Sequence, residues 1–387
     1  MNKTALSPDA VVYIPSTVES QRGGVLYDNI MNRLSTSRYI PHRIVECLLL
    51  LSEVVALNVP EWILGEKNEK KVPRIEKRIE SSIAASRVSL ADAVARGGRR
   101  KVAVLTGGAE GRGFVAATAF AEAGYHLIIG DRAMEQGVQA VEAIKAQSRN
   151  PYVEFIYLDL ASLKDVRCFA EEVMKRTAVI DLLVNNAEVM DLPSFLPTAE
   201  GFESQFGINH IGHYLLTHLL LPLVKKAPQA RIVMTASAAH YGVNQIPYPA
   251  ITSPKTYDRL RNYCGSKLAT VMYVRHLAKA LAETHPNITV NCLHPGSGNT
   301  NLFNNSLLLS ALTTIGLRYW LRPPVRGART IIYLSLSEEV EGVNGEYWFD
   351  ERIRRRSAVS NDPRKQEELI RYSNKAVGIS DLGSYHF

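Results

Sequence analysis

At 387 residues the chain is long enough to bury a full core, and 46% hydrophobic with 21% charged residues is the balance of a globular protein, not of a disordered or fibrous one. The formal charge of +7 is spread along the chain apart from two basic runs at 67–78 and 352–356. Such runs read as solvated surface or as a contact with an anionic membrane, and no aromatic–basic pattern points to nucleic acid. Cys47, Cys168, Cys264 and Cys292 are far apart with no CxxC pair, so they indicate neither a metal site nor a disulfide scaffold and are compatible with a reducing compartment.

Residues 1–99 read as a helical N-terminal extension ahead of a domain at 100–387. Its most apolar part, 44–64, is interrupted by Glu46, Glu53, Pro60 and Glu61, so no hydrocarbon-spanning run of about twenty residues is expected. The segment is expected to pack on the following domain or a second subunit, or to lie in a membrane interface with the basic run on lipid headgroups. Neither an arginine-rich presequence nor a cleavable signal is read at the start.

From residue 101 onward strands and helices alternate. Apolar runs at 102–105, 126–129, 153–158, 182–184, 231–236 and 288–293 are separated by helical stretches at 114–123, 133–147, 162–176, 200–224 and 262–284. That alternation predicts an α/β fold of three layers, a Rossmann-type doubly wound parallel sheet with helices on both faces. Residues 345–349, GEYWF, read as the last strand, followed by a basic helical tail.

In such a sheet ligands bind beyond the carboxyl ends of the strands. After the first strand, Gly107, Gly111 and Gly113 stand in the spacing TGxxxGxG ahead of an alanine-rich helix. A side-chain-free turn at a helix N-terminus brings bare N–H groups and a positive dipole end to a diphosphate, so this is a dinucleotide cradle. After the second strand come Asp131 and Arg132, the first suited to ribose hydroxyls and the second to a 2′-phosphate. Two like charges about 4 Å apart repel by roughly 4 kcal/mol at an effective dielectric near 20. Asp131 alone would therefore exclude NADP, Arg132 offsets much of that, and NAD is favoured with NADP tolerated. Asp159 after the third strand can meet the adenine edge; paired asparagines at a strand end usually mean a structural turn, but in this sheet position Asn185, Asn186 and Ala187 after the fourth are expected to face the cofactor.

The fifth strand leads to Ser237, and later comes the pattern YxxxK at Tyr263 and Lys267 on a predicted helix. Positions i and i+4 share one helical face, and a neighbouring ammonium favours the phenolate of a tyrosine whose pKa is ordinarily near 10. Tyr263 is thus a candidate general acid–base.

Together these residues resemble the short-chain dehydrogenase/reductase family over about 100–377. The resemblance implies an NAD(P)-dependent oxidoreductase in which Tyr263 exchanges a proton with the substrate oxygen and Ser237 hydrogen-bonds that oxygen. It further implies that Lys267 binds the nicotinamide ribose and tunes Tyr263, that Asn209 supports a water relay, and that Pro295, Gly296 and Thr300 belong to the loop holding the carboxamide. The phrases GFESQFGINHIGHYLLTHLLLP, YCGSKLA and HPGSGNT are similar to the retinol-dehydrogenase-like branch, and EGVNGEYWFDE to its polyprenol-dehydrogenase-like members. That likeness implies a lipophilic alcohol and its aldehyde or ketone as substrates, pairing of two copies through the helices at 200–224 and 262–284, and a cytoplasmic location or a peripheral one on the endoplasmic reticulum membrane. The apolar run at 302–324 is expected either to be a mobile lid that closes on its own core or to form a pocket for a long apolar alcohol or aldehyde.

Two residues depart from that pattern. Arg112 stands where a small apolar residue is usual between the last two glycines, and Glu188 replaces the glycine that normally ends NNAG. The tetrad of Asn209, Ser237, Tyr263 and Lys267 is complete, which favours an active enzyme. The competing expectation is a catalytically silent scaffold in which Arg112 and Glu188 abolish nicotinamide binding.

Overall fold

The structure, a computed structural model, describes residues 71–190, 192–296 and 324–379. The apolar segment 44–64, Thr300 and most of the run 302–324 lie outside the described residues. Eight strands form one sheet in the order β3-β2-β1-β4-β5-β6-β7-β8. In chain order they are β1 (Val102–Thr106), β2 (His126–Asp131), β3 (Val153–Tyr157), β4 (Leu182–Asn185), β5 (Ala230–Thr235), β6 (Ile288–Leu293), β7 (Tyr347–Phe349) and β8 (Arg352–Arg354). All pairings are parallel except β7 with β8.

Alternation of side chains along each strand splits the core into two layers. Ala103, Leu105, Leu127, Ile129, Leu182 and Val184 face one side. There they meet α2 (Gly111–Glu122), α3 (Met134–Ser148) and α7 (Pro324–Leu336). Val102, Val104, Ile128 and Leu183 face the other, against α4 (Leu163–Arg176), α5 (His213–Val224) and α6 (Arg259–Thr284). The predicted strands and helices are found within a few residues of their expected limits, in the doubly wound arrangement.

The strand order reverses between β1 and β4. Chains leaving these two neighbours run to opposite faces, so the crevice between them opens at their carboxyl ends. Everything that matters for the site is delivered to that edge.

Three features were not foreseen. The helix expected at 200–224 begins with a single turn, Ser204–Phe206, and passes through a π-helical segment, Gly207–Gly212, before α5. The basic run at 352–356 does not open a helical tail but starts as β8, an antiparallel return from β7. Asp350 and Glu351 both adopt positive φ, 50° and 54°, and pair Phe349 with Arg352 across a two-residue turn. Such turns favour Asn, Asp or Gly first and Gly second, so Asp350 fits the pattern and Glu351 departs from it. The helical tail begins later, as α8 (Pro363–Val377), which packs across α6 and the π-helical segment. His210 Nε2 is 2.8 Å from Ser373 Oγ, and the Tyr214 hydroxyl donates to Asn374 Oδ1 at 2.6 Å. Part of the surface of the helices expected to pair two copies is therefore already covered within the chain.

The described part of the N-terminal extension is one long helix, α1 (Lys71–Ala95), laid against α7. Ile79 and Leu90 are its buried anchors. Arg78 lies over the ring of Tyr333 and pairs with Glu339, and Glu76 pairs with Arg329. This end of the basic run is thus engaged with the domain. Among the described residues no helix is long and apolar enough to cross a membrane. Leu90→Ala should remove about 2–4 kcal/mol of packing and raise amide exchange in α1 before the sheet opens. Hydrogen-exchange mass spectrometry across residues 76–95 measures it.

Candidate active site

Thr106, the last residue of β1, ties the two sides of the crevice together. Its Oγ1 accepts the N–H groups of Asn186 (2.9 Å) and Ala187 (3.0 Å) from beyond β4 and lies 2.9 Å from Nε2 of His213. With two donors on the oxygen, its own hydrogen goes to His213. The imidazole must then offer a bare Nε2, leaving Nδ1–H toward the Asn209 carbonyl at 3.4 Å. Burial pushes the His213 pKa down to about 4, which keeps that neutral form.

Asn186 completes the bracket. Its Nδ2 donates to the carbonyls of Thr106 and Gly107, each at 3.0 Å. Asn185 likewise donates to Thr217 on α5 at 2.7 Å. Both amides expected to face a cofactor are therefore used on the protein. Asn186 and Ala187 still line the cleft, while Asn185 does not. The glycine turn folds tightly under this bracket: Gly107 has φ 69°, and a Cβ at Gly113 would stand 1.8 Å from the Gly107 carbonyl oxygen. No side-chain hydrogen bond caps the first turn of α2, whose N–H groups open on the cleft.

The cleft holds about 450 Å³ and is lined by Gly107, Gly111, Arg112, Gly113, Asp131, Arg132, Asp159, Asn186, Ala187 and Glu188, with Met190, Leu192, Leu196 and Ile208 at an apolar end. Asp131 accepts N–H bonds from Ala109 of the glycine turn (3.3 Å) and from Ala133 (3.1 Å), while Arg132 is exposed. Asp159 accepts from the Ala161 N–H at 2.9 Å.

The remaining predicted residues gather on the β5 side. α6 carries Tyr263 and Lys267, both buried, with the ammonium 5.5 Å from the tyrosine ring centroid. Lys267 Nζ donates to the Thr235 carbonyl at the end of β5 (3.2 Å). Ser237 follows two residues on, its Oγ accepting the Ala239 N–H at 3.1 Å. Asn209 sits in the π-helical segment, where the extra residue per turn aims it at the loop after β4. Its amide accepts from Val189 N (2.8 Å) and donates to Val189 O (2.9 Å) and Ser266 Oγ (3.0 Å). Pro295 and Gly296 follow β6, Gly296 with φ 81°. His294 just before them receives the Ala238 N–H at 3.4 Å, joining that loop to the Ser237 turn.

Two parts of this site escape sequence reading. His213 and His294 are single histidines whose partners lie far away in the chain. Arg112 and Glu188, each noted as a departure, form an ion pair with one another, and the second carboxylate oxygen of Glu188 pairs with Lys267. The side chains of Lys267 and Glu188 are 1% and 5% exposed. Burial pushes the Glu188 carboxyl up, but the Lys267 and Arg112 cations outweigh it and hold it below the ordinary carboxylate range. Burial drives Lys267 down, and Glu188 opposes it only in part.

A glycine-rich cleft at the switch of a doubly wound sheet, flanked by a buried tyrosine and lysine one helical turn apart, defines a dinucleotide-dependent dehydrogenase site. Comparison with known proteins agrees: residues 101–308 match the short chain dehydrogenase family, and the chain belongs to it. It is 34% identical to human polyprenol dehydrogenase over 287 residues, 73% of this chain and 86% of the relative. It is 36% identical to mouse retinol dehydrogenase 13 over 286 residues, 72% and 84%. An uncharacterized protein from Mycobacterium Paratuberculosis, solved by crystallography, superposes with TM-score 0.57 at 27% identity, covering 72% of this chain and 94% of its own. The protein is thus an oxidoreductase of a family that uses NAD(P) and acts on CH–OH groups. The cradle fits a diphosphate in its chemistry, since Gly107, Gly111 and Gly113 line it without side chains and the first turn of α2 carries no side-chain cap. Glu188 adds a third carboxylate to those of Asp131 and Asp159 along the lining, and its charge opposes an anionic ligand.

Gly113→Ala should abolish dinucleotide binding while the sheet still forms, measured by NADH titration alongside far-ultraviolet circular dichroism. The acid side of stability follows from three buried imidazoles. Burial pushes His210, His213 and His240 down to about 3, 4 and 4. Unfolded imidazoles titrate near 6.5, so below that pH the unfolded chain binds protons that the folded chain refuses. Their stability is full above about pH 6.5 and is lost toward pH 4, by about 1.4 kcal/mol per pH unit for each imidazole that stays neutral in the fold. Urea midpoints at pH 7 and pH 5 should differ accordingly.

Proposed function

We propose that the enzyme interconverts a lipophilic alcohol and its aldehyde or ketone, with Tyr263 as the acid–base group. The observation that carries this reading is that Lys267, beside the Tyr263 ring, bonds the end of β5 two residues before Ser237 and pairs with Glu188 in the lining of the glycine cleft. The bound nicotinamide supplies or takes the hydride. Gly111 to Gly113 hold the diphosphate on the open first turn of α2. Asp131 accepts from the adenosine ribose, Asp159 lies by the adenine, and Pro295 and Gly296 border the carboxamide.

On the substrate side Ser237 Oγ donates to the reacting oxygen, which holds the carbonyl or alkoxide beside the phenol. Tyr263 Oη gives its proton to that oxygen in reduction and takes it back in oxidation. The Lys267 ammonium lies against the tyrosine ring and stabilises the phenolate left behind. Asn209 locks the loop after β4 onto α6 through Val189 and Ser266. Holding the reacting C–H against the nicotinamide turns a rare encounter into a positioned one.

Two observations favour a long apolar substrate. The relatives are named for polyprenol and retinol, and Met190, Leu192, Leu196 and Ile208 make one end of the cleft apolar. NAD is favoured over NADP, because the Asp131 carboxylate faces the ribose end while Arg132 is exposed where its charge is screened.

Tyr263→Phe should lower turnover of a polyprenol or retinol by about 10²–10⁴-fold, the range for loss of a positioned proton donor, and leave NADH binding nearly unchanged. Assays of both alcohols with NAD and NADP, together with tryptophan-fluorescence titration, read the two effects separately. Full activity in the variant would remove Tyr263 from the chemistry. Absence of binding to either dinucleotide in the unaltered protein would favour a silent scaffold.

A further inference from the structure

The two residues by which the chain departs from its family pattern touch one another, and through Glu188 they touch Lys267. Arg112 leaves the first turn of α2, donates from Nε to Asn186 Oδ1 at 3.2 Å and pairs with one oxygen of Glu188. Lys267 reaches the other oxygen from α6. The side chains of Arg112, Glu188 and Lys267 are 10%, 5% and 1% exposed, so the three charges sit out of water at the wall of the cleft. The cluster carries one negative and two positive charges. Without Glu188 the fold would bury two cations against each other, and with it the net charge of the cluster falls from +2 to +1 before any ligand arrives.

The balance has a consequence for binding. A dinucleotide brings a doubly negative diphosphate to the first turn of α2 and ribose hydroxyls toward Lys267. Both groups call on the cations that Glu188 already holds, and the diphosphate repels the carboxylate itself. Arg112 is well placed to change partner, since it stands between Gly111 and Gly113 in the lining of the cleft while its guanidinium bonds Asn186 and Glu188. Glu188 has three rotatable side-chain bonds through which its carboxylate can leave.

We infer that Glu188 is an internal occupant of the cofactor cleft: its carboxylate holds Arg112 and Lys267 in the dinucleotide-free enzyme, and a dinucleotide binds by displacing it from both cations. This rests on the oxidoreductase reading above and adds the regulation of that site. Closure by Glu188 lowers the competent fraction, so apparent affinity is weakened by the factor that favours the closed pair. The same contact stabilises the empty enzyme. Glu188 thus exchanges affinity for stability, an effect that a merely structural residue would not show.

The test is a tryptophan-fluorescence titration of the full chain with NADH and with NADPH, paired with thermal unfolding of the ligand-free protein. Glu188→Gly should bind NADH at least about tenfold more tightly than the unaltered protein while unfolding at a lower temperature. If two uncompensated cations keep that variant from folding, Arg112→Leu and the double variant Arg112→Leu/Glu188→Gly decide. The double variant should then bind about tenfold more tightly than Arg112→Leu alone. Folded variants lacking Glu188 that bind NADH no more tightly than their parents overturn the inference while leaving Tyr263-dependent turnover, and with it the oxidoreductase reading, intact. If neither parents nor variants bind either dinucleotide, both fall together.

Discussion

A single hydroxyl holds the site together. Thr106 Oγ1 takes two backbone N–H groups from beyond β4 and gives its hydrogen to His213, so three segments that would otherwise diverge at the strand switch meet at one atom. Asn186 can then reach back to the carbonyls of Thr106 and Gly107, and the glycine turn closes until Gly113 lies against Gly107. Buried donors without partners would cost about 1–3 kcal/mol each, so the bracket is strongly specified. Its geometry also sets where α2 begins, and hence where Arg112 points.

The direction of Arg112 explains why two unusual residues are tolerated in a cradle built for an anion. A carboxylate in a buried cleft is costly alone, and so is a guanidinium beside an ammonium. Together Arg112, Glu188 and Lys267 share their charges, and the field of the two cations keeps Glu188 ionised despite its burial. Removing Glu188 leaves two cations to bear the full cost of burial, whereas removing Arg112 leaves the Glu188–Lys267 pair. A site of this kind is stable when empty, and ligand affinity is measured against an internal competitor.

The β5 side of the site is assembled from the far half of the chain. α6 lays Tyr263 and Lys267 over the end of β5, the π-helical segment turns Asn209 onto Val189 and Ser266, and His294 joins the loop after β6 to the Ser237 turn. The β7–β8 hairpin closes the sheet there, and its Phe349 ring lies 5.1 Å from His294. Each element contributes through contacts between groups remote in sequence, which is why small changes of backbone, such as one π turn, matter to the geometry.

The strands, the glycine turn and the YxxxK pair were legible in the amino-acid order because each is local. Apolar runs of strand length, a spacing of glycines and two side chains one helical turn apart are constrained by neighbours within about ten residues. The turn at Asp350 and Glu351 was not legible, since the pairing of β7 with β8 imposes a positive φ on Glu351, where such turns ordinarily carry glycine. Nor did the order of residues show that Asn185 and Asn186 would spend their amides on Thr217 and the glycine turn. Arg112 and Glu188 stood out as single oddities, yet their pairing with each other and with Lys267 spans three elements, and charges separated by 76 and 79 positions meet only once the sheet has brought α2, the β4 loop and α6 to one edge.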